Sequence, residues 1–411
     1  MTDNLDNSSE LVGRCLLCGN SFHRELILSL GDIAPCNRFE KQGREFVEKS
    51  PLAISECALC NLVQLSTFPS VEFVRPRVPW IRYKEPDAHL DALVDQLQKL
   101  LSLKNMKVIG VGPFDGPLLS RLNKDGLSCK DLDISSRLPN ELGYPYLESI
   151  QELLRPHSLS NLATEEGTAD IVSCRYLLEH SHDPIASLKG LRHLISPNGC
   201  LLIEIPDSKK FLSRMDYSFI WEEHICYFTE HTFCVCATMA GYDVAHFFLF
   251  PGVLEDALIF ILRPKSLLNK ENIQISVKKS PEIFLRYRIG FDDVKRKYHS
   301  ALDRITSAGS KIAIFGAGHQ SIMFINALGL QHFISCVIDD ASDKLGYLIP
   351  GTEIEIVPSD RLFNDLSIEV CLLGVSPVIE EKIRAKYAAY LDRGGKMFSI
   401  FPGAGSITLI D

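Results

Sequence analysis

Two segments of the chain share one order of elements, in which a buried strand is followed by a glycine-rich turn and a helix. The first is VIGVGPFDGPLL at 108–119, and the second is KIAIFGAGHQS at 311–321. Strands that alternate with helices build parallel sheets, and glycines at strand ends let a ligand approach the backbone. The repeated order therefore predicts two α/β units within 411 residues, a length that accommodates two or three domains.

The hydrophobic pattern predicts the elements of both units. Around the first turn it indicates strands at 107–112, 128–133, 169–177 and 200–206 and helices at 89–103, 116–123 and 183–195. An amphipathic helix at 282–308 leads to the second unit, whose four visible strands begin near residues 311, 335, 369 and 396. Before the first unit, a loop rich in proline, arginine and aromatic residues spans 69–86 and is predicted to contain no regular helix.

Five of the 13 cysteines lie in the first 60 residues, and four of these form two C-x-x-C pairs. The pairs are Cys15 with Cys18 and Cys57 with Cys60. Each pair can present two thiolates from a tight turn, and two such turns complete a tetrahedral zinc site with no open position. A redox pair and a chance pairing are the alternatives. A zinc ribbon can also bind nucleic acid or a protein.

Charge and hydropathy restrict the partners and the location. The formal net charge of −9 argues against a general nucleic-acid binder, which needs a basic surface. No apolar run reaches the ~20 residues needed to span a bilayer, and the polar start at 1–12 does not resemble a signal peptide. We therefore expect a cytoplasmic protein with no nucleic-acid or membrane partner, present as a monomer or a homodimer.

The first glycine turn has features typical of S-adenosylmethionine-dependent methyltransferases. An acidic residue ends the next strand, where a carboxylate can bind both hydroxyls of a ribose, and LRHLISPNGCLLIEIP at 191–206 has the helix, P-N-G turn and strand common in this class. A dinucleotide-binding Rossmann turn is the alternative. The predicted donor-binding residues are Gly110, Gly112, Asp115, Gly116, Asp133 and Arg175.

Together these motifs resemble the sugar C-methyltransferase family, which acts on nucleotide-linked 4-keto deoxysugars. The resemblance covers roughly residues 13–403 and implies an N-terminal zinc module, a central methyltransferase domain and a C-terminal domain. The donor motif of that family starts with an acidic residue and continues I-G-C-N-D-G. In this chain Gly110 stands at the position of the acid, while Gly112, Asp115 and Gly116 match. The chain is therefore a divergent member by this likeness.

The resemblance also implies a catalytic base. Methylation of a carbon beside a ketone requires removal of a C–H proton, for which a histidine with a near-neutral pKa is suited. The segment WEEHICYF at 221–228 resembles the family's Y-H-E-H-x-x-Y-F motif and implies that His224 is the base, with Glu223 beside it. RYLLEH at 175–180 resembles R-N-V-L-A-H and implies that His180 contacts the sugar or carries a proton. A buried, satisfied histidine or a solvent-facing one is the alternative for each.

The acceptor pocket differs from that of the family. Trp80 and Trp221 stand where the family has tyrosines, and Glu255 with Asp256 lies where it has an H-G-G-S-like turn. We therefore expect an acceptor other than the sugar best known for the family, unless the two tryptophans are simply core residues. The predicted acceptor-binding residues in this part of the chain are Trp80, Tyr83, Trp221, Glu222 and Tyr227.

By the same resemblance, the C-terminal unit holds the nucleotide of the acceptor. Gly316 and Gly318 would admit a phosphate near the helix start, and Asp339 follows the next strand. A dimerisation domain and an NAD site are the alternatives for this unit.

The sequence thus predicts an α/β protein of three parts. These are a zinc-binding module at 13–68, a Rossmann-like methyltransferase domain at 69–265 with a connecting loop at 69–88, and a C-terminal Rossmann-like domain with its leading helix at 282–411. The predicted activity is transfer of a methyl group from S-adenosylmethionine to a carbon alpha to a ketone. O- or N-methylation of another small molecule and a non-catalytic binding scaffold are the alternatives.

Overall fold

The computed structural model describes residues 13–43, 47–78, 85–101, 103–132, 134–137, 150–265, 282–405 and 407–411. It contains three main sheets, one for each predicted part of the chain. No helix in these ranges is both long and apolar enough to cross a membrane.

The cysteine-rich region forms a four-stranded antiparallel sheet in the order β1-β3-β4-β9. Its strands are β1 (Ile27–Ile33), β3 (Ser50–Glu56), β4 (Val63–Leu65) and β9 (Cys226–Tyr227). The last of these comes from the middle of the chain, because Val63 pairs with Tyr227 and Gln64 with Cys226. The strand just after His224 is therefore an edge of the cysteine-rich sheet, a long-range pairing that the sequence did not predict.

The loop predicted at 69–86 contains one helical turn, α1 (Val71–Val74), so the expectation of no regular helix was wrong there. Ser70 explains the turn, because its hydroxyl accepts a hydrogen bond from the Phe73 amide at 3.2 Å and caps the helix start. All four prolines of the segment lie outside residues 71–74 in the sequence.

The central unit is a six-stranded mixed sheet in the order β10-β11-β8-β7-β5-β6. Four strands are parallel, as predicted, but β10 and β11 form an antiparallel hairpin that pairs with β8. The strands are β5 (Lys107–Gly110), β6 (Ser128–Asp131), β7 (Ala169–Arg175), β8 (Ile195–Asp207), β10 (Tyr242–Phe250) and β11 (Asp256–Pro264). The helices are α2 (Leu90–Leu100), α3 (Gly116–Lys124), α4 (Pro156–Glu166), α5 (Pro184–Leu191), α6 (Lys209–Arg214) and α7 (Glu230–Met239).

The hairpin was missed because 242–250 and 256–264 have nearly continuous apolar runs. Continuous apolar runs do not by themselves indicate the direction of a strand. Six of the nine residues of β11 are buried, because the strand lies between β8 and β10. Expected boundaries elsewhere are shifted by a few residues, as in β8, which begins at Ile195 rather than at residue 200.

The C-terminal unit follows the long helix α8 (Glu282–Ser307) and has a five-stranded parallel sheet in the order β15-β13-β12-β16-β17. One strand more is present than the four visible in the sequence. The strands are β12 (Lys311–Phe315), β13 (Ile334–Ile338), β15 (Ile356–Val357), β16 (Ile368–Leu373) and β17 (Lys396–Ser399). The helices are α9 (His319–Leu328), α10 (Arg361–Asn364), α11 (Pro377–Lys386) and α12 (Ala388–Asp392).

The three units contact one another. A short antiparallel pair joins β2 (Glu40–Lys41) of the cysteine-rich region to β14 (Tyr347–Leu348) of the C-terminal unit. Tyr217 of the central unit donates its hydroxyl hydrogen to the Tyr287 carbonyl on α8 at 2.6 Å, and Tyr287 donates to the Asp216 carbonyl at 3.0 Å. Buried apolar side chains of all three units belong to one continuous cluster. This packing brings side chains from separate units to one cavity.

Candidate active site

The predicted donor turn lies between β5 and α3, at the carboxyl edge of the central sheet. Asp115 is fully buried there, and its carboxylate accepts hydrogen bonds from the Val111 amide at 3.1 Å, the Gly112 amide at 2.7 Å and the Ser173 hydroxyl at 2.5 Å. Burial raises the pKa of Asp115 to about 6. The expectation that the Asp115 side chain binds the donor is therefore corrected, because the carboxylate is used to fold the turn.

The three glycines of the turn have different surroundings. A Cβ at Gly110 would lie 2.6 Å from the Asp115 Cβ and 2.7 Å from the Leu119 Cδ1, so no side chain fits there. This crowding explains why glycine stands at the position of the family's acid. A Cβ at Gly112 would lie 3.3 Å from the Asp115 Oδ2, and one at Gly116 would lie 3.5 Å from the Asp131 Oδ2. These two keep the backbone at the start of α3 accessible to a ligand.

Arg175, predicted to bind the donor, is held by protein groups instead. Its Nε lies 2.5 Å from a Glu204 carboxylate oxygen, and its other nitrogens donate to the Phe114 carbonyl at 2.5 Å and the Pro86 carbonyl at 2.9 Å. Burial alone would lower the pKa of Arg175, but Glu204 raises it overall, so the guanidinium stays charged. Arg175 is thus a positioning residue that fastens the donor turn to the segment at residue 86.

Glu204 and His89 complete this network, and the sequence assigned neither a role. The His89 Nε2 lies 2.8 Å from a Glu204 carboxylate oxygen. Burial opposes ionisation of Glu204, but His89 and Arg175 lower its pKa overall. The signal in the sequence was a glutamate in the otherwise apolar strand CLLIEIP. The remaining donor prediction, Asp133, lies outside the described residues.

A cavity of about 620 Å³ opens where the central and C-terminal units meet. Tyr176, which directly follows β7, lines it with a φ of +48°, a left-handed conformation that is uncommon outside glycine and frequent at functional sites. Trp221 and His224 line it from the predicted histidine motif. His319, Gln320, Ser376 and Val378 line it from the C-terminal unit.

His224 is half-buried at the wall of this cavity. The centre of its ring lies 4.7 Å from that of His180, with the two rings perpendicular, and 4.9 Å from that of Trp221. Burial lowers the pKa of His224 well below its usual value, and the charges of His180 and His319 lower it further. The imidazole is therefore neutral at physiological pH, which is the form that accepts a proton.

The two glutamates of the motif point toward the cysteine-rich region and do not line the cavity. A Glu222 carboxylate oxygen accepts a hydrogen bond from the Cys36 amide at 2.5 Å, and Glu223 accepts one from the Asn37 side chain at 2.8 Å. Both are buried. The expected roles of Glu223 in catalysis and Glu222 in acceptor binding are thus corrected, since both fix the loop that carries His224.

Tyr227 also supports this loop. Its hydroxyl accepts a hydrogen bond from the Trp221 amide at 2.8 Å and donates one to the Trp221 carbonyl at 3.1 Å, which leaves it turned away from the cavity. Trp221 keeps its predicted place at the cavity, where its ring stacks on that of His319 with the centres 4.7 Å apart. The predictions for Trp80 and Tyr83 fall on residues that the structure does not describe.

Two carboxylic acids, Glu85 and Glu255, also line the cavity. Burial, with the negative charge of Glu255, raises the pKa of Glu85 to about 8, and burial raises that of Glu255 to about 7. The sequence indicated an acidic character only for Glu255.

In the C-terminal unit, Gly316 has a φ of +103°, and a Cβ there would lie 2.7 Å from the Val375 Cγ1. Gly318 precedes α9 and has open space around it. Asp339 is held by the Ala317 amide at 3.0 Å and by the Lys344 ammonium at 2.8 Å. These contacts hold the Asp339 carboxylate beside the glycine turn, and its expected contact with a ligand stays a prediction.

The four cysteines of the two C-x-x-C pairs converge. The Sγ atoms of Cys15 and Cys60 are 3.4 Å apart, those of Cys18 and Cys57 are 3.4 Å apart, and all four lie within 4.8 Å of one another. Four sulfur atoms around an ion at 2.3 Å would be about 3.8 Å apart. The spacing therefore fits a tetrahedral metal site.

Comparison with known proteins gives two matches to family models. Residues 85–246 match a methyltransferase domain, and residues 265–402 match a C-methyltransferase C-terminal domain. The C-methyltransferase NovU from Streptomyces niveus is 20% identical over 370 residues, which are 86% of either protein. The chain is an S-adenosylmethionine-dependent methyltransferase. More narrowly, the C-terminal match and the likeness to NovU support a C-methyltransferase family.

Other relatives match a smaller part of the chain. Ubiquinone biosynthesis O-methyltransferase from Xanthomonas campestris pv. campestris (strain B100) is 29% identical over 130 residues, 30% of this chain and 54% of the relative. Among solved structures, magnesium protoporphyrin IX methyltransferase (ChlM) from Synechocystis PCC 6803 with bound SAH has a TM-score of 0.32 and 18% identity, and the match covers 43% of this chain and 82% of that one.

Proposed function

We propose that this enzyme methylates a carbon alpha to a ketone, and that its acceptor is a nucleotide-linked keto sugar. The observation that carries the proposal is His224, a histidine with a lowered pKa at the wall of a cavity shared by the central and C-terminal units. A neutral imidazole is suited to remove the C–H proton, a step that O-methylation of an already acidic hydroxyl needs less.

The donor site of the proposal lies beside this cavity. S-adenosylmethionine supplies an electrophilic methyl group when it is bound. Gly112 and Gly116 keep the start of α3 open to it, and Asp115 holds the turn in shape. Arg175 donates hydrogen bonds to the Phe114 carbonyl of this turn and to the Pro86 carbonyl at the cavity. It therefore links the proposed donor site to the cavity.

The nucleotide part of the proposal is supported by two helix starts. Gln320 at the beginning of α9, and Ser376 with Val378 at the beginning of α11, line the same cavity as His224. Helix N-termini present free amides and a partial positive charge, which favour phosphate groups. A sugar ring near His224 would place its diphosphate toward these helices.

We also propose that the four cysteines bind one structural zinc ion. Three of the thiols are buried and the fourth is half-buried, which leaves no open position for a substrate. The cytoplasmic location remains part of the proposal.

The test of the base compares two histidine variants in the presence of S-adenosylmethionine and nucleotide-linked 4-keto sugars. We expect His224→Gln to lower methyl transfer about 10²–10⁴-fold, the usual contribution of a general base. His246→Gln is the matched control, because His246 is exposed on β10 outside the cavity, and it should keep full activity. Full activity of His224→Gln would contradict the assignment.

A second measurement separates carbon from oxygen or nitrogen chemistry. With the acceptor in D₂O and without the methyl donor, the intact enzyme should exchange the alpha hydrogen for deuterium, and His224→Gln should not. Methylated product without any exchange in the intact enzyme, and with the methyl on oxygen or nitrogen, would favour the alternative activity. The relative from Xanthomonas campestris is an O-methyltransferase.

A further inference from the structure

Three side chains outside the cysteine cluster converge beside the cavity. Glu179 and His180 lie on the short turn that follows β7, and His224 comes from the loop before β9. One carboxylate oxygen and one ring nitrogen from each histidine lie within 4.8 Å of one another. Two imidazoles and one carboxylate from distant parts of the chain thus come together.

In the described part of the chain, the Glu179 carboxylate accepts a hydrogen bond from its own backbone amide but has no side-chain donor that explains its burial. Its residue is 2% exposed, and its Oε2 has no hydrogen-bond partner in the described part of the chain. A buried carboxylate oxygen without a donor is costly. Arg175, at the end of the strand that precedes this turn, is already paired with Glu204. The family stretch that this turn resembles has alanine at the position of Glu179, so the carboxylate is not needed to form the turn.

The surrounding charge also favours a cation. Glu85, Glu204 and Glu255 all act on Glu179 with the same sign of charge. Two of them, Glu85 and Glu255, line the cavity that His224 faces. A positive ion beside Glu179 would offset this repulsion.

We propose that Glu179, His180 and His224 form a binding site for a divalent transition-metal ion, separate from the cysteine cluster. Two imidazoles and a carboxylate are a ligand set used for zinc and for iron(II), with further positions left open. An ion with bonds of about 2.1 Å needs its ligand atoms roughly 3–3.5 Å apart, so ligand atoms that lie within 4.8 Å of one another need to close by no more than about 2 Å. His224, which is half-buried, has the most room to move.

Occupancy of this site has one consequence for the enzyme. A metal ion uses the same imidazole lone pair that accepts a proton, so His224 cannot hold the ion and act as base through one nitrogen. We therefore expect the ion to inhibit methyl transfer. This consequence rests on the proposed function, whereas the site itself does not.

The site is tested by counting metal ions. The full-length protein is stripped with a chelator, reloaded with Zn²⁺, freed of excess ion, and analysed for zinc per chain by mass spectrometry. We expect the unmodified protein to bind one zinc more than Glu179→Ala and than the isosteric Glu179→Gln. Glu255→Gln is the control, because it removes a nearby carboxylate that lines the cavity but leaves the three ligands intact, and it should bind the same number of zinc ions as the unmodified protein when both are loaded at saturation.

Equal zinc content in the unmodified protein and in a folded Glu179 variant would overturn the site, and circular dichroism establishes which variants are folded. Inhibition is measured separately. Zinc should inhibit methyl transfer by the unmodified protein at concentrations at least tenfold lower than for Glu179→Gln, and equal sensitivity would overturn the inhibitory role. If the zinc count is as expected but no keto sugar is methylated, the proposed function fails while the metal site stands.

Discussion

At the scale of single residues, the donor turn depends on one buried carboxylate and one missing side chain. Asp115 bonds two backbone amides of the turn and the Ser173 hydroxyl on the neighbouring strand. Gly110 leaves the space that the Asp115 Cβ occupies. A side chain at residue 110 and the inward-turned Asp115 therefore exclude each other in this backbone.

This exclusion predicts the effect of adding one methyl group. We expect Gly110→Ala to lower the free energy of unfolding by about 1–3 kcal/mol, because the new Cβ would lie 2.6 Å from the Asp115 Cβ in a packed core. Gly116→Ala at the other end of the turn is the matched control, since its Cβ would meet the nearest atom at 3.5 Å. Urea unfolding of both variants measures the difference. Equal stability would show that the turn relaxes at little cost.

The histidine pair predicts a pH dependence. Burial and the charges of His180 and His319 lower the pKa of His224, so its neutral form persists to lower pH than in an exposed histidine. Protonation below that pKa removes the base. We therefore expect the acidic limb of kcat/KM for methyl transfer to have its midpoint below pH 6.5, the usual value for histidine. A midpoint at or above 6.5 would contradict a buried histidine as the base.

At the scale of elements, the loop 221–228 belongs to two structures. Its first part lines the cavity through Trp221 and His224, and its last part, β9, is the edge strand of the cysteine-rich sheet. Glu222 and Glu223 bond Cys36 and Asn37 of the same region. The cysteine-rich module therefore positions the proposed base, although none of its described residues lines the cavity.

This dependence predicts what loss of the proposed zinc ion would do. We expect Cys57→Ser to lose the zinc of the cysteine cluster and to weaken amide protection from hydrogen exchange both in β3 and in β9, because the two strands flank β4 in one sheet. Cys129→Ser is the control, because Cys129 is half-buried on β6, far from the cluster in the chain. Zinc content and exchange are measured by mass spectrometry. Loss of zinc with unchanged protection of β9 would contradict the dependence of the loop 221–228 on the cysteine-rich module.

At the scale of the whole molecule, the cavity exists only because two α/β units meet. The stacked rings of Trp221 and His319 bridge the central and C-terminal units at this point. The long helix α8 is fastened to the central unit through the hydrogen bonds of Tyr217 and Tyr287. The relative position of the units is thus part of the site.

The stacking of Trp221 on His319 predicts that loss of His319 weakens acceptor binding more than it slows methyl transfer. We expect His319→Ala to raise KM for the acceptor roughly 2–12-fold with a smaller change in kcat, because an aromatic pair contributes about 0.5–1.5 kcal/mol and His319 holds one wall of the cavity. His332, exposed at a distance from the cavity, provides the control variant His332→Ala. Steady-state kinetics with each substrate varied in turn measures the effects on KM and on kcat separately. A fall in kcat without a change in KM would instead assign His319 a part in the chemistry.

Much of this arrangement was predictable from local patterns. The strand, glycine turn and helix at 107–124, the two C-x-x-C pairs and the His224 motif each rest on a few neighbouring residues, because backbone conformation and ligand spacing are set locally. These patterns also predicted Trp221 and His224 as residues of the acceptor site, and both line the cavity. They did not reveal the direction in which polar side chains point, so Asp115, Arg175 and Tyr227 were assigned to ligands although they bond the protein.

The sequence by itself determined the α/β character of the two large units, the clustering of the four cysteines and the class of chemistry. Only the tertiary structure decided which polar groups remain available to bind a ligand and which are bonded within the protein. The pairing of β4 with β9, the burial of Glu204 between Arg175 and His89, and the approach of Glu179 to His224 all join residues distant in the chain. The physical reason is that burial and electrostatic partners are set by packing between elements, and no local pattern of residues specifies that packing.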